Sequence, residues 1–543
     1  MSTVARYLHT VRHLRPVQVA NRVWRRLYQP RLDQREAPPL RARRGAWSQP
    51  IAAEPTLLGP TRLRLLNVER SCADAADWQP ADVPLLWRYH LHYFDDLNAR
   101  DATARESWHR ALLARWIREN QPGVGVAWDP YPTSRRIVNW IKWALSGRTL
   151  PAECVASLAA QLRWLDGRLE YHLLGNHLLA NAKALAFGGA FFAGTEADAW
   201  ARRARQLVTT ELAAQVLADG GHFELSPMYH AIVLEDLLDL LNLGRTYGEP
   251  APPEWSETAA RMQQWLAVMT HADGEVALFN DAAFGQAPSL AELDAYARSL
   301  GLGALAAQRP ELVRLADSGY LRASVGAADL FCDCAAVGPD HLPAHAHADT
   351  LSFELDVSGR RLLVNSGTSI YGSGPERARQ RGTAAHNTVV VDAADSSEVW
   401  GAFRVARRAR VVECDARAAA GGVTVSGAHD GYCRLPGRNL HRRSWSLHEG
   451  ALLVEDEIGG ARRSAVAWFH LHPEATARMT GYATVALEWS GGAARIVFDG
   501  ADAVAVVPGT WHPRFGVSVP NVAVSASFSG ARLRTRVEWA GAR

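Results

Sequence analysis

No run of about 18 apolar residues occurs anywhere in the sequence, so no spanning helix organises the chain. The opening stretch, MSTVARYLHTVRHLRPVQVANRVWRRLYQPRL, is basic and lacks the uninterrupted apolar core of a signal peptide. It reads as a surface-packed helix, with a basic amphipathic helix resting on a membrane or partner as the alternative. Without such a leader the chain is expected in the cytoplasm, or in the periplasm if the N-terminus is misassigned. An excess of charge is also missing. The 59 basic residues nearly balance 56 acidic ones, which excludes a chain-wide grip on nucleic acid and leaves only a local basic cleft. Six cysteines are scattered without zinc-finger or redox spacing, and Cys332-Asp333-Cys334 is too tight for the usual structural zinc pattern, so no disulfide framework is implied.

At 543 residues the chain exceeds one ordinary core, and two or more domains are expected. Nineteen tryptophans read mainly as core, with a minority free to stack on pyranose rings. Up to about residue 310 the apolar residues recur at helical spacing, as in TSRRIVNWIKWALSG (133–147), where Ile137, Trp140, Ile141 and Leu145 form one stripe. GNHLLANAKALAFGGAFFAG (175–194) and AIVLEDLLDLLNLGRTYG (231–248) follow the same rule. From about residue 318 the period becomes two, and LSFELDVSGRRLLVNSG reads as strand, tight turn at Ser358-Gly359, strand. Runs of strands after runs of helices argue two domains in series, with the boundary near 312–320. The expected division is a basic helical lead-in (1–80), a helical domain (81–315) and a β-domain (316–543).

Three constellations carry chemistry. In LEYHLLGNHLLANAKAL, Gly175-Asn176-His177 opens an apolar helix; Asn176 either caps it or turns its amide, with the His177 imidazole, toward an anionic ligand. In LADGGHFELSPMYHAIVLEDLL, Ser226-Pro227 starts a helix behind which His222, Glu224, Tyr229 and His230 crowd together. In HLPAHAHADTLSFEL (341–355), His345 and His347 alternate with alanine and on a strand would share one face. His386 follows after an excursion holding Tyr371, Arg377 and Arg381. A metal site, acid/base chemistry and a polar turn all remain open for this stretch.

Together, WRYHLHYFDDL, WDPYPTSRRIVNWIKW, GNHLLANAKAL, DGGHFELSPMYHAIVLEDLLDLL, HAHADTLSFEL, RGTAAHNTVVVD and GYCRLPGRNLHRRSW resemble the heparinase II/III-like family of bacterial polysaccharide lyases, which includes oligo-alginate lyases. The resemblance implies an N-terminal (α/α) toroid followed by a C-terminal antiparallel β-sandwich. It also implies β-elimination at a uronic acid: the C5 proton is removed and the 4-O-glycosidic bond leaves. Asn176 and His177 match the positions that neutralise the substrate carboxylate, Tyr229 the catalytic tyrosine and His345 the histidine across the cleft. Tyr371 stands as a second tyrosine of the alginate-lyase kind. Arg135, His222, Glu224, His230 and Arg381 are expected to contact substrate, and His222, His230 and Arg135 to lower the Tyr229 phenol by their charge.

The resemblance also implies a structural zinc on His347 and His386, and no organic cofactor. Where metal-binding members carry an aspartate after the next strand, this chain has Asn365, a poorer ligand, with Asp349 as a substitute. Two rival readings remain. One is an accessory protein of exopolysaccharide or cell-surface glycan assembly that binds an acidic glycan without cleaving it. The other is a hydrolase using Asp219 and Glu224.

Overall fold

The computed structural model describes residues 3–305 and 310–540. Two short helices, α1 (Thr3–Val11) and α2 (Pro16–Leu27), precede a small hairpin of Arg62–Leu65 and Val68–Ser71. The helical body follows as α3 (Leu85–Leu91), α4 (Glu106–Glu119), α5 (Pro130–Leu145), α6 (Ala152–Asp166), α7 (Gly175–Phe191), α8 (Thr195–Gln215), α9 (Pro227–Tyr247), α10 (Pro253–Val268) and α11 (Leu290–Ser299). A last helix, α12 (Pro375–Arg381), lies within the β-domain.

The helix α7 is buried along nearly its whole length, as befits a helix in the middle of a helical layer. It packs against α5, α6, α8 and α9. Gly189 allows a close approach to α8, since a Cβ there would lie 2.5 Å from the Ala201 backbone nitrogen. Fourteen of the nineteen tryptophans are buried, so the core reading holds for most of them. Trp116, Trp128, Trp140 and Trp164 form one edge-to-face and stacked chain, and the Arg136 guanidinium lies 4.0 Å above the Trp116 ring.

The β-domain is antiparallel throughout its named strand pairs. A five-stranded meander runs in chain order through Leu312–Leu315, Tyr320–Val325, Ala328–Asp333, Phe353–Val357 and Arg360–Leu363. Ser358 and Gly359 close its last hairpin with φ of 54° and 72°, the left-handed pair that a two-residue turn requires. An eight-stranded sheet spanning 411–539 packs over it, and a four-stranded sheet adjoins it where Val364 N donates to His470 O at 2.9 Å. Their inner faces share one apolar core. The chain is thus an (α/α) toroid followed by an antiparallel β-sandwich.

His345 and His347 do not lie on a strand, contrary to the alternation that suggests one. The strand begins only at Phe353, and both histidines sit in the irregular segment leading to it. Pro343 and the polar run around Asp349 and Thr350 keep that segment out of the ladder, and its side chains are aimed by contacts to the helical domain instead.

Candidate active site

The site begins with a glycine. Residue 175 opens α7 at φ +57°, and a Cβ there would fall 2.4 Å from Glu224 Oε1. Glycine alone meets both demands. The Glu224 carboxylate therefore seats against the first turn of α7, where the helix dipole favours negative charge. It accepts hydrogen bonds from Asn176 N and Asn176 Nδ2, each at 3.2 Å. The N-cap position is Leu174, so Asn176 does not cap the helix and its amide belongs to the site. Beside it, His177 Nδ1 lies 3.2 Å from Glu170 Oε1, and the ring tilts over Tyr131 at 4.5 Å. Burial opposes charge on His177, but the Glu170 carboxylate outweighs it and raises the imidazole above its usual value.

Ser226 caps α9 by accepting from Tyr229 N at 3.3 Å, which sets Tyr229 on the first turn. Its hydroxyl meets that of Tyr371 at 3.0 Å, and its ring stacks on His345 with centroids 3.8 Å apart. Burial, with Tyr371 and Asp281 beside it, pushes the Tyr229 phenol well above its ordinary value; Tyr371 is raised in the same way by burial and Asp281. The cationic neighbours expected to lower Tyr229 are not there. Both tyrosines hold their protons at neutral pH.

Asp281 organises the histidines. It lies between α10 and α11 and is fully buried, with Oδ2 at 3.0 Å from His345 Nδ1 and Oδ1 at 2.8 Å from His347 Nε2. Arg377 of α12 grips the same carboxylate with both terminal nitrogens, the Nη2 bond measuring 2.7 Å. Burial alone would raise the Asp281 carboxyl, but Arg377 and the two imidazoles hold it well below the usual carboxylate range. An ionised carboxylate only accepts, so the facing nitrogens of both histidines carry hydrogen. His345 Nε2 then points toward Glu224 Oε2 at 3.4 Å.

The other nitrogen of His347, Nδ1, faces His386 Nε2 at 3.3 Å. That is about the separation of two imidazoles on one tetrahedral zinc, given Zn–N bonds near 2.0–2.1 Å. Burial lowers His347 to about 4 and His386 to about 3, so both are neutral, the form that ligates. Asp349 completes a buried group whose ligand atoms all lie within 4.8 Å of one another. Asp281 behind His347 supplies the carboxylate–histidine support typical of metal ligands. These residues fit a zinc ion. Asn365 is otherwise engaged: its Oδ1 accepts from Asn387 N at 3.3 Å and its Nδ2 donates to Ser352 Oγ at 3.4 Å.

Several expected contacts fall elsewhere. His230 is buried, bonded through Nε2 to Met262 O at 2.9 Å and stacked on Trp265. His222 is buried and bonded to Gln215 Oε1 at 3.0 Å. Arg381 spends its guanidinium on the carbonyls of Ala346, Gly401, Ala402 and Arg404. All three are supports for the site, because a fully covered side chain has no face left for substrate. Asp219 accepts from Gly221, Asp317 and Ser318 and ties a turn, which removes the carboxylate pair that hydrolysis needs. His341 is half-buried near Phe223. Arg135 lies 3.3 Å from Asp95 in a cleft of about 630 Å³ that runs two turns further along α5, α7 and α9. Lys142, Lys183, Glu235 and Asp236 line the same cleft, and Lys183 Nζ sits 2.6 Å from Asp236 Oδ1.

Asp281 was invisible in the pattern: in FNDAAFGQAP it stands after Asn280 like an ordinary turn residue. Arg377 was visible as one of three arginines on α12, and only the contact with Asp281 separates it from Arg379 and Arg381. Phe403, whose ring lies 5.1 Å from Tyr371 and 6.2 Å from His345, had no signal at all.

A helical toroid and a β-sandwich that meet at a cluster of tyrosine, histidine and amide, backed by a two-histidine, one-carboxylate cradle, define the class. Family models agree: Heparinase II/III N-terminus matches residues 90–299, and Heparinase II/III-like, C-terminal matches residues 307–540. The chain belongs to the heparinase II/III-like family. Among curated relatives, FtsZ-localized protein C of Caulobacter vibrioides is 28% identical over 419 residues, 71% of this chain and 69% of that protein. The heparin-sulfate lyase of Bacteroides stercoris is 28% identical over 242 residues, 41% of this chain and only 36% of the lyase. The crystal structure of heparinase III superposes with a TM-score of 0.70 at 19% identity, covering 86% of this chain and 79% of that one.

Replacing Asp281 with Asn leaves the buried Arg377 without its counter-charge. The expected cost is about 3–5 kcal/mol, read as a fall in denaturation midpoint. An unchanged midpoint would show that the carboxylate does not join the domains.

Proposed function

We propose that the protein is a polysaccharide lyase that cleaves an acidic, uronate-containing glycan by β-elimination. The observation that carries this reading is the convergence of Asn176, His177, Tyr229, His345 and Tyr371, drawn from three separate stretches of chain, at the toroid–sandwich junction. The C5 proton of a uronate is weakly acidic because the neighbouring carboxylate resists further negative charge. The Asn176 amide and the His177 imidazole, cationic over a widened pH range, meet that carboxylate and stabilise the enolate-like transition state. His345, whose Nδ1–H is held by Asp281, takes the C5 proton at Nε2; Glu224 Oε2 stands 3.4 Å from that nitrogen without a hydrogen bond to it, being engaged by the Asn176 amide, and stabilises the cation once the proton has arrived. Tyr229 holds its proton at rest and delivers it to the departing O4, with Tyr371 as its hydrogen-bond partner. The basic side of the adjoining cleft, at Arg135, receives the next acidic residue of the chain.

His347, Asp349 and His386 would hold a zinc ion, whose positive charge would tie the β-domain loops together; no bond of the substrate is assigned to it. A second reading, an accessory protein that binds acidic glycan without cleaving it, is favoured by one finding. FtsZ-localized protein C matches a larger share of this chain than the Bacteroides lyase does.

Incubation with heparan sulfate, hyaluronan, chondroitin and alginate, followed by product mass and ultraviolet absorbance, separates these readings. Elimination yields an unsaturated end lighter than a hydrolysis product by one water. Tyr229→Phe is expected to lower turnover by about 10²–10⁴-fold with the fold intact. Binding without turnover, indifferent to Tyr229→Phe, selects the accessory role. For His177, a raised folded pKa means that its charge is fully present below the ordinary value near 6.5 and is lost as pH rises through the folded pKa. Substrate KM is therefore expected to climb on the alkaline side, and His177→Gln to flatten that limb; an unaltered profile removes His177 from the site. Metal analysis of the purified chain is expected to find about one zinc per molecule, lost in His386→Ala. A wild-type chain free of zinc after refolding with the metal would remove the zinc assignment.

A further inference from the structure

The helices α1 and α2 are built the wrong way round for a packed surface element. On α2 the residues that meet the protein are polar. Gln18 is buried with its Nε2 donating to His341 O at 3.2 Å, and one turn pair further on Arg25 Nη1 donates to Arg168 O at 3.4 Å. At 100° per residue, Val17, Val19, Val23, Trp24, Leu27 and Tyr28 fall on one continuous arc opposite these contacts. That arc faces outward, with Trp24 54% and Leu27 80% exposed. The helix α1 repeats the arrangement. Thr10 accepts from Trp400 Nε1 at 3.2 Å, while Val4, Leu8 and Val11, spaced for one face, stand out from the surface. Burying an apolar arc is the usual source of a surface helix's stability; here α2 is held by polar pegs, and α1 by Thr10 and by the Tyr7 ring edge-to-face with Trp400 at 4.7 Å, while both apolar arcs stay outside.

Charge identifies what covers the arc. Residues 1–32 contain seven arginines and no aspartate or glutamate. Arg22 and Arg26 are exposed beside the apolar arc, and Trp24 stacks on Tyr28 at 4.9 Å within it. A broad apolar arc edged by arginine and carrying amphipathic aromatics is the build of a helix that lies in a bilayer interface. A protein groove would meet the valines and leucine equally well but gives no reason for the uniform positive rim.

We infer that α1 and α2 form a docking surface for an anionic lipid bilayer, with the apolar arcs sunk among the headgroups and the arginines on lipid phosphates. The toroid–sandwich body then rides on the membrane, held through the Trp400 hairpin and the Gln18 peg. This inference stands apart from the reaction proposed above.

Flotation of the full chain with vesicles tests it. Phosphatidylcholine vesicles containing phosphatidylglycerol are expected to carry the protein up the gradient, and pure phosphatidylcholine vesicles are not. The pair Trp24→Glu and Leu27→Glu, on exposed residues, is expected to abolish flotation with an unchanged melting temperature. Arg22→Gln and Arg26→Gln are each expected to weaken it roughly fivefold, and added salt to weaken it further. Absence of flotation with either vesicle, or equal flotation with both, overturns the inference. So does self-association in sedimentation velocity that Trp24→Glu abolishes without any vesicle binding, because the arc would then be an interface between copies.

Discussion

The carboxylate of Asp281 is the joint on which the molecule depends. It comes from the helical side, yet its partners His345, His347 and Arg377 all belong to the β-domain. Its neighbour Asn280 adopts φ +56° and reinforces the joint: Oδ1 accepts from His347 N at 3.0 Å, and the backbone N–H donates to Asp349 Oδ2 at 3.0 Å. One loop thus sets the positions of His345 and His347 and ties the helical side to the β-domain. A buried charge is tolerable only when fully paired, and here His345, His347, Arg377 and the Thr368 hydroxyl share the pairing.

The same burial divides the labour of the site. Tyr229 and Tyr371 are kept as phenols because desolvation and the nearby carboxylate both disfavour a phenolate. His345 lies between two carboxylates, one that fixes its tautomer and one placed to stabilise charge on the opposite nitrogen. A phenol and an imidazole therefore stand in stacking contact, their centroids 3.8 Å apart. The donors that would meet the substrate carboxylate sit at the start of α7, where Gly175 leaves room for Glu224 to hold the Asn176 amide in place.

Periodicity made the order of helices before strands readable, since a helix repeats near 3.6 and a strand at 2; the first strand of the meander, Leu312–Leu315, was too short to show its period. Ser226-Pro227 and Ser358-Gly359 were readable for the same reason, because capping and tight turns make local demands that particular residues meet. The alternation His345-Ala346-His347 misled: it mimics a strand, but the segment has no ladder partner and tertiary contacts aim its rings. Asn176 misled in the other direction. It is a good capping residue in a capping-like place, and Leu174 takes that place because Gly175 must hold a left-handed φ.

What the sequence determined alone was local and periodic: the order of helices and strands, the tryptophan-filled core, the basic apolar stripe at the start and the motif residues of the site. Only the tertiary structure decided which polar residues face open space and which are supports. His222, His230 and Arg381 became supports, and Asp281 and Arg377 became central. The physical reason is that a side chain's role depends on its partners and its access to water, and both come from residues far apart in the chain. Asp281 and Arg377, 96 positions apart, are joined only when toroid and sandwich close on each other.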